Sequence, residues 1–138
     1  MIPITTNATH HLKMAGIHDA TLHAFSFTLD KHFEITLHHS DSGINHILFE
    51  GVSHIGFQNV VQGLLVLNIF AFPLSQLDQL LPQQKHAYFE ILMGNALDSF
   101  EIDRLIEQNQ SDERTKLVAI ESSYGGDICL LCRNLWHR

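Results

Sequence analysis

Residues Ile44 to Phe72 read INHILFEGVSHIGFQNVVQGLLVLNIFAF, and the reading of this stretch decides the fold. It holds two apolar segments joined by the polar pair Gln58-Asn59, and Glu50 is its one formally charged residue. Leaving it in water would forfeit roughly 1.5–3 kcal/mol per large side chain, so at least one face must be covered. Leu64 to Phe72 is apolar at both parities, Leu64/Val66/Phe70/Phe72 and Leu65/Leu67/Ile69. That pattern predicts a central strand with something packed on each side. Gly51, between Asn45–Glu50 and Val52–Phe57, is expected at a bulge or a corner where the sheet bends.

Upstream, Phe25, Phe27 and Leu29 alternate with Ser26 and Thr28, and Phe33, Ile35 and Leu37 alternate with His32, Glu34, Thr36 and His38. A period of two marks half-buried strands. Asp30-Lys31 is expected to be the tight turn between them, and Gly43 to take a positive φ in the looser turn that follows. Met1 to Gly16 reads as an arm or short edge strand ahead of a single domain over 17–138.

Downstream, Pro73 ends the apolar run because it has no N–H for a ladder. Ser75 with Asp78 predicts a short helix carrying Leu77, Leu80 and Leu81, which Pro82 would stop. His86 to Leu92 fits strand and helix spacing about equally, and the strand is preferred because Gly94-Asn95 closes it. Asp98 with Glu101 forms a capping box for a helix with Ile102, Leu105 and Ile106 on one stripe, running to about Asn109. Gln110 to Arg114 is a polar loop. Lys116–Ser122 and Asp127–Leu135 form a hairpin across Ser123-Tyr124-Gly125-Gly126. The fold expected is therefore α+β, a single domain dominated by antiparallel β-sheet with two short helices.

Composition bounds the function. With 138 residues, 45% hydrophobic and 17% charged, the chain suits one hydrophobic core. A formal net charge of -7, with 8 Lys and Arg in total and no run of them, argues against a nucleic-acid backbone as partner. The longest apolar run, Gly63 to Phe72, is interrupted by Asn68 and falls far short of the ~20 residues a membrane helix needs. Met1 to Thr9 lacks the basic start and apolar core of a secretory signal, so a cytoplasmic protein is expected.

Eleven histidines are the loudest compositional feature. His32 and His38 share a strand face but lie about 20 Å apart, too far to share a metal. No H-x-x-x-H or H-x-H pair occurs, whereas a zinc site needs three or four converging ligands. No metal or cofactor is expected. Cys129 and Cys132 have C-x-x-C spacing, but three positions along a strand point to opposite faces, and Leu130-Leu131 between them mark buried sheet. Both are expected in the core. The Gly-rich stretch Ser122–Asp127 lacks a lysine and precedes a strand, which makes it turn chemistry rather than a phosphate cradle. His18 with Asp19, and His32 with Glu34, could each be written as an acid–base pair, but no nucleophile accompanies them. No catalytic residue is assigned, and the chain is not expected to be an enzyme.

Ile17-His18-Asp19-Ala20, then a strand pair, then Ile47-Leu48-Phe49-Glu50-Gly51-Val52, Gly56-Phe57-Gln58-Asn59-Val60-Val61 and Leu65-Val66-Leu67 resemble a known pattern. It is that of polymorphic-toxin immunity proteins of the immunity protein 50 type and related small domains. The likeness covers about Ile17 to Ile69. It implies a toxin-neutralising protein that binds another protein, and it carries over no catalytic residue.

An acidic binding protein suits a basic toxin, since opposite potentials speed encounter. Asp98, Glu101, Asp103 and Glu107, around the second predicted helix, are the expected partner-binding residues. Their plainer reading is a solvated helix face with favourable charge near its N-terminus. Two alternatives stand beside this one: a homo-oligomeric structural domain, in the simplest case a homo-dimer, and a small-molecule enzyme.

Overall fold

The computed structural model describes residues 1–28, 30–94, 98–109, 113–123 and 127–138, apart from the side chains of Ser99 and Asn109. Among the described residues, nine strands run in the order β1 (Ile2–Pro3), β2 (Thr21–Thr28), β3 (His32–His39), β4 (Gly43–Glu50), β5 (His54–Gln58), β6 (Val66–Pro73), β7 (Lys116–Ser122), β8 (Asp127–Cys132) and β9 (Asn134–His137). A 3-10 turn at Leu74–Gln79 and two helices, α1 (Pro82–Met93) and α2 (Ser99–Asn109), stand between β6 and β7. The strands form two antiparallel sheets, β1-β9-β4-β3-β2 and β5-β8-β7-β6. The architecture is the expected one: α+β, mostly antiparallel sheet, with two short α-helices.

Three layers follow from where the apolar side chains go. Phe33, Ile35, Leu37, Ile47 and Phe49 of the first sheet meet Val118, Ile120, Ile128 and Leu130 of the second in one core. The other face of the second sheet, Leu117, Ala119, Cys129 and Leu131, packs on Phe89 and Leu92 of α1 and Ile102 and Ile106 of α2. Strands buried on both faces read as unbroken apolar runs, and here those are LVAI in β7 and ICLLC in β8. The stretch expected to be central, β6, instead ends its sheet.

The outer edge of β6 is not bare. His10 to Leu22 covers it, with Leu12 N–H donating to the Ile69 carbonyl (3.1 Å), Ala71 N–H to His10 (2.9 Å) and Val66 N–H to Ala20 (2.8 Å). A bulge between Val66 and Asn68 also changes its parity. Val66, Ile69 and Ala71 therefore face the inter-sheet core while Phe70 and Phe72 face the helices. The simple alternation had grouped Val66 with the two phenylalanines. An extra residue in a strand reverses every face beyond it.

Gly51 is the expected corner, at φ +71°, where the chain leaves β4 in one sheet for β5 in the other. Arg133 divides β8 from β9 in the same way, so the expected strand Asp127–Leu135 serves both sheets. Gly43 has its positive φ. Asp30 and Lys31 both take left-handed conformations after the last described pair, Thr28 opposite His32. Leu29, Asn95, residues 110–112 of the polar loop and the turn residues Tyr124-Gly125-Gly126 lie outside the described residues.

The helices correct two expectations. Leu74–Gln79 is a 3-10 turn, and Pro82 does not stop a helix but begins α1. Its missing N–H is harmless in the first helical turn, and its fixed φ suits that position. His86 to Leu92, read as strand, is the body of that helix, which Gly94 closes at φ +75° with its N–H on the Glu90 carbonyl. Strand alternation would bury Ala87, Phe89 and Ile91 and helix spacing Tyr88, Ile91 and Leu92; the helix buries one residue from each set, Phe89 and Leu92.

Candidate functional site

Asp98 caps α2 as expected. Its Oδ1 accepts the Glu101 N–H at 2.9 Å, and its carbonyl accepts the Ile102 N–H at 3.1 Å. Ile102 and Ile106, one turn apart, lock one side of the helix into the core. The opposite side therefore faces water, and Asp98, Glu101, Asp103 and Glu107 are all exposed on it or at its start. The carboxylate of Asp98 is engaged by the cap, and Asp103 lies 3.7 Å from the Lys85 ammonium of α1.

Sequence reasoning missed Phe100, which is 73% exposed. At helical spacing Phe100, Asp103 and Glu107 fall on one face, so an uncovered aromatic ring stands beside two carboxylates. The signal was present: Phe100 lies off the Ile102/Leu105/Ile106 stripe that the periodicity defines.

A second uncovered aromatic group lies at the ends of the two sheets. Phe25 and Phe27 of β2 point toward buried Phe33, with ring centroids 5.8 and 5.1 Å from it. Phe57 of β5 joins them, 5.3 Å from Phe25 and 6.2 Å from Phe27. These three nevertheless remain 44%, 59% and 40% exposed. The alternation placed Phe25 and Phe27 on the buried face, and the face is right. Their strand ends its sheet, however, and leaves them uncovered on one side.

Tyr88, Asp127 and Cys129, all with displaced pKa values, lie together where α1 crosses β7 and β8. Tyr88 donates its hydroxyl to Glu121 Oε1 at 2.9 Å, and burial together with that carboxylate keeps the phenol protonated. Burial raises the Asp127 carboxyl, against the opposing hydrogen bond from Ser122 N–H. The arrangement ties α1 to the second sheet. Cys129 and Cys132 face opposite layers, as the spacing requires, and both are free and buried. Burial pushes both thiols up, that of Cys132 to about 12.

Of the two histidine–carboxylate pairs written from the sequence, the first is in contact and the second is not. His18 Nδ1 lies 3.2 Å from Asp19 on the surface. His32 is 3.9 Å from Glu50 rather than paired with Glu34, whose carboxylate binds Arg138. Among the described residues no three His, Cys, Asp or Glu side chains are grouped to hold a metal ion. A shallow groove of about 600 Å³ runs between β5 and the end of α1, lined by residues 53–57 and 91–94. No described helix is long and apolar enough to cross a membrane.

The fold and its surfaces define a class: a small antiparallel two-sheet sandwich backed by helices on one sheet. Comparison with family models, with curated proteins and with solved structures returned no match in any of the three.

Proposed function

We propose that the protein is a binding module without turnover of its own, which neutralises a basic toxin in the cytoplasm through the exposed face of α2. The observation that carries this is Phe100, 73% exposed on the same helical face as Asp103 and Glu107. An exposed aromatic anchor with charged groups around it, here Asp103, Glu107 and, one turn on from the ring, Arg104, is a common anatomy of a protein-binding hot spot. The net charge of -7 would speed encounter with a basic surface. The resemblance of Ile17 to Ile69 to immunity proteins supports the same reading from the other half of the chain.

The test is co-expression with the toxin encoded beside this chain's gene, reading cell growth. Wild type should restore growth. A variant with Phe100→Ala, Glu101→Lys, Asp103→Lys and Glu107→Lys should fold, by circular dichroism and melting, yet fail to protect. Protection by that variant equal to wild type would remove α2 as the site. No protection by wild type would remove the immunity reading.

A further inference from the structure

We propose that β2 is a self-association edge, at which two copies of the chain pair antiparallel about a two-fold axis passing through Ser26. The edge is built for a strand. The start of β2 is already paired on its outer side, with Leu22 N–H donating to the Leu64 carbonyl and Gly63 N–H to the Leu22 carbonyl, both at 2.8 Å. Backbone pairing with that neighbour then lapses at a bulge at His23, whose carbonyl accepts the Gln62 side-chain amide at 3.2 Å. Beyond it, Ala24 to Phe27 have β3 on one side and, among the described residues, no strand on the other. An open edge is usually guarded by charge or proline. TLHAFSFT has neither, in a chain of net charge -7.

The order of side chains says that a second copy fits. In AFSFT, an antiparallel pairing centred on Ser26 sets Phe25 opposite the partner copy's Phe27, Ser26 opposite itself and Ala24 opposite Thr28. A two-fold axis perpendicular to the sheet keeps faces together, so four phenylalanines meet on the core side, where Phe57 already stacks on Phe25. Like charges on an axis repel across it, and this strand is neutral. Nearest Ser26 on β3 is Glu34, whose charge Arg138 already answers.

Size sets the strength. At roughly 200 Å² per Phe, the exposed fractions of Phe25, Phe27 and Phe57 amount to roughly 300 Å² of aromatic surface per copy. Two copies supply about half of the roughly 1,200 Å² at which specific interfaces begin, and the paired backbones and Val61 add to it. The dimer should therefore be reversible, with dissociation in the micromolar range rather than obligate. This surface is separate from the α2 face, and either assignment can fail without the other.

Sedimentation velocity from low-micromolar to near-millimolar concentration tests the proposal. Wild type should pass from monomer to dimer. Ser26→Lys, which adds a partner for Glu34 within one copy but sets two ammonium groups face to face across the axis, should weaken dimerisation at least about tenfold. Ser26→Cys should crosslink under mild oxidation, because directly opposed antiparallel residues lie roughly 4.5–5.5 Å apart at Cα, within disulfide reach. The two native thiols are buried and do not compete. Ser40→Cys, in the exposed β3–β4 turn, is the control and should stay monomeric. A chain monomeric throughout, with no Ser26→Cys crosslink, overturns the proposal. So does a dimer that Ser26→Lys leaves intact, or a β2 edge whose amide signals shift only when an unrelated extended peptide is added.

Discussion

The carbonyl of Ile91, near the end of α1, rests directly on Gly56 of β5: a methyl group added at Gly56 would stand 1.8 Å from its oxygen. The same methyl would lie 2.7 Å from the Ile91 carbonyl carbon and 2.9 Å from the Leu92 α-carbon. All three are backbone atoms, so no side chain can rotate out of the way. This contact fixes how the helix layer sits on the second sheet, because Phe89 and Leu92 enter their core from the same end of α1.

Gly56→Ala should therefore destabilise the protein by the upper end of roughly 1–3 kcal/mol, since α1 must lift to admit the methyl group. Gly63→Ala, where nothing lies within 4 Å but φ is +83°, separates crowding from backbone strain. Its loss should be smaller, of order 1 kcal/mol. Urea unfolding of both variants checks the ranking, and equal losses would mean that the helix yields easily.

Asp127 gives a pH dependence with a definite sign. Its ordinary value is 3.8, and burial raises it in the folded protein. A raised carboxyl favours the fold while protonated and loses that contribution as pH rises through its folded value. Asp127→Asn removes the titration and keeps an oxygen for Ser122 N–H. It should raise the melting temperature at pH 7, and the gain should shrink as pH falls through the raised folded value and be gone below the ordinary 3.8. A variant equally or less stable at pH 7 would show that the charge is well accommodated.

Both thiols should be silent in the native state. Burial raises their pKa values, and thiolate, not thiol, attacks a disulfide reagent. Ellman's reagent at pH 8 should find almost no reactive cysteine until denaturant is added, and then two per chain. One fast-reacting thiol in the native protein would contradict the burial of that cysteine.

Much of this fold could be read from particular residues. Cys129 and Cys132 fell to opposite layers because a strand's period leaves no alternative, and Asp98 declared the start of α2 by its chemistry. Gly51 marked a corner, though not that the corner joins two sheets. What alternation cannot supply is the identity of a strand's neighbours. The both-sided apolarity of Leu64–Phe72 arises from the inter-sheet core on one face and the helices on the other, while its edge is closed by His10 to Leu22, a segment of mixed polar and apolar residues without a strand's alternation. Pro82 read as the stop of a helix and is the start of one, since proline suits both the end of one element and the first turn of the next. The α2 acids were legible as an exposed face, but Phe100 was visible only as a break in the stripe.

The N-terminal arm gives the last test. Residues 1–16 read as an arm or short edge strand, and their start fits both: Met1, Ile2 and Pro3 are exposed while Ile2–Pro3 pair with β9. The segment next to β6 is tied in more firmly. Asn7 Oδ1 accepts the N–H of Thr9 and of His11, each at 3.0 Å, and holds a small turn. From that turn the rings of His10 and His11 reach Phe72 and Phe70, with centroids at 4.8 and 4.3 Å. Leu12 is buried in the inter-sheet core with Ile69. If this segment is part of the core, Leu12→Ala should cost about 2–4 kcal/mol, the range for a buried leucine. It should also speed hydrogen exchange at the amides of Leu12 and Ala71, whose bonds bridge arm and strand. A loss below about 0.5 kcal/mol, with exchange unchanged, is what a loosely held surface arm would give. That result would place the boundary of the folded unit after Leu12 rather than before it.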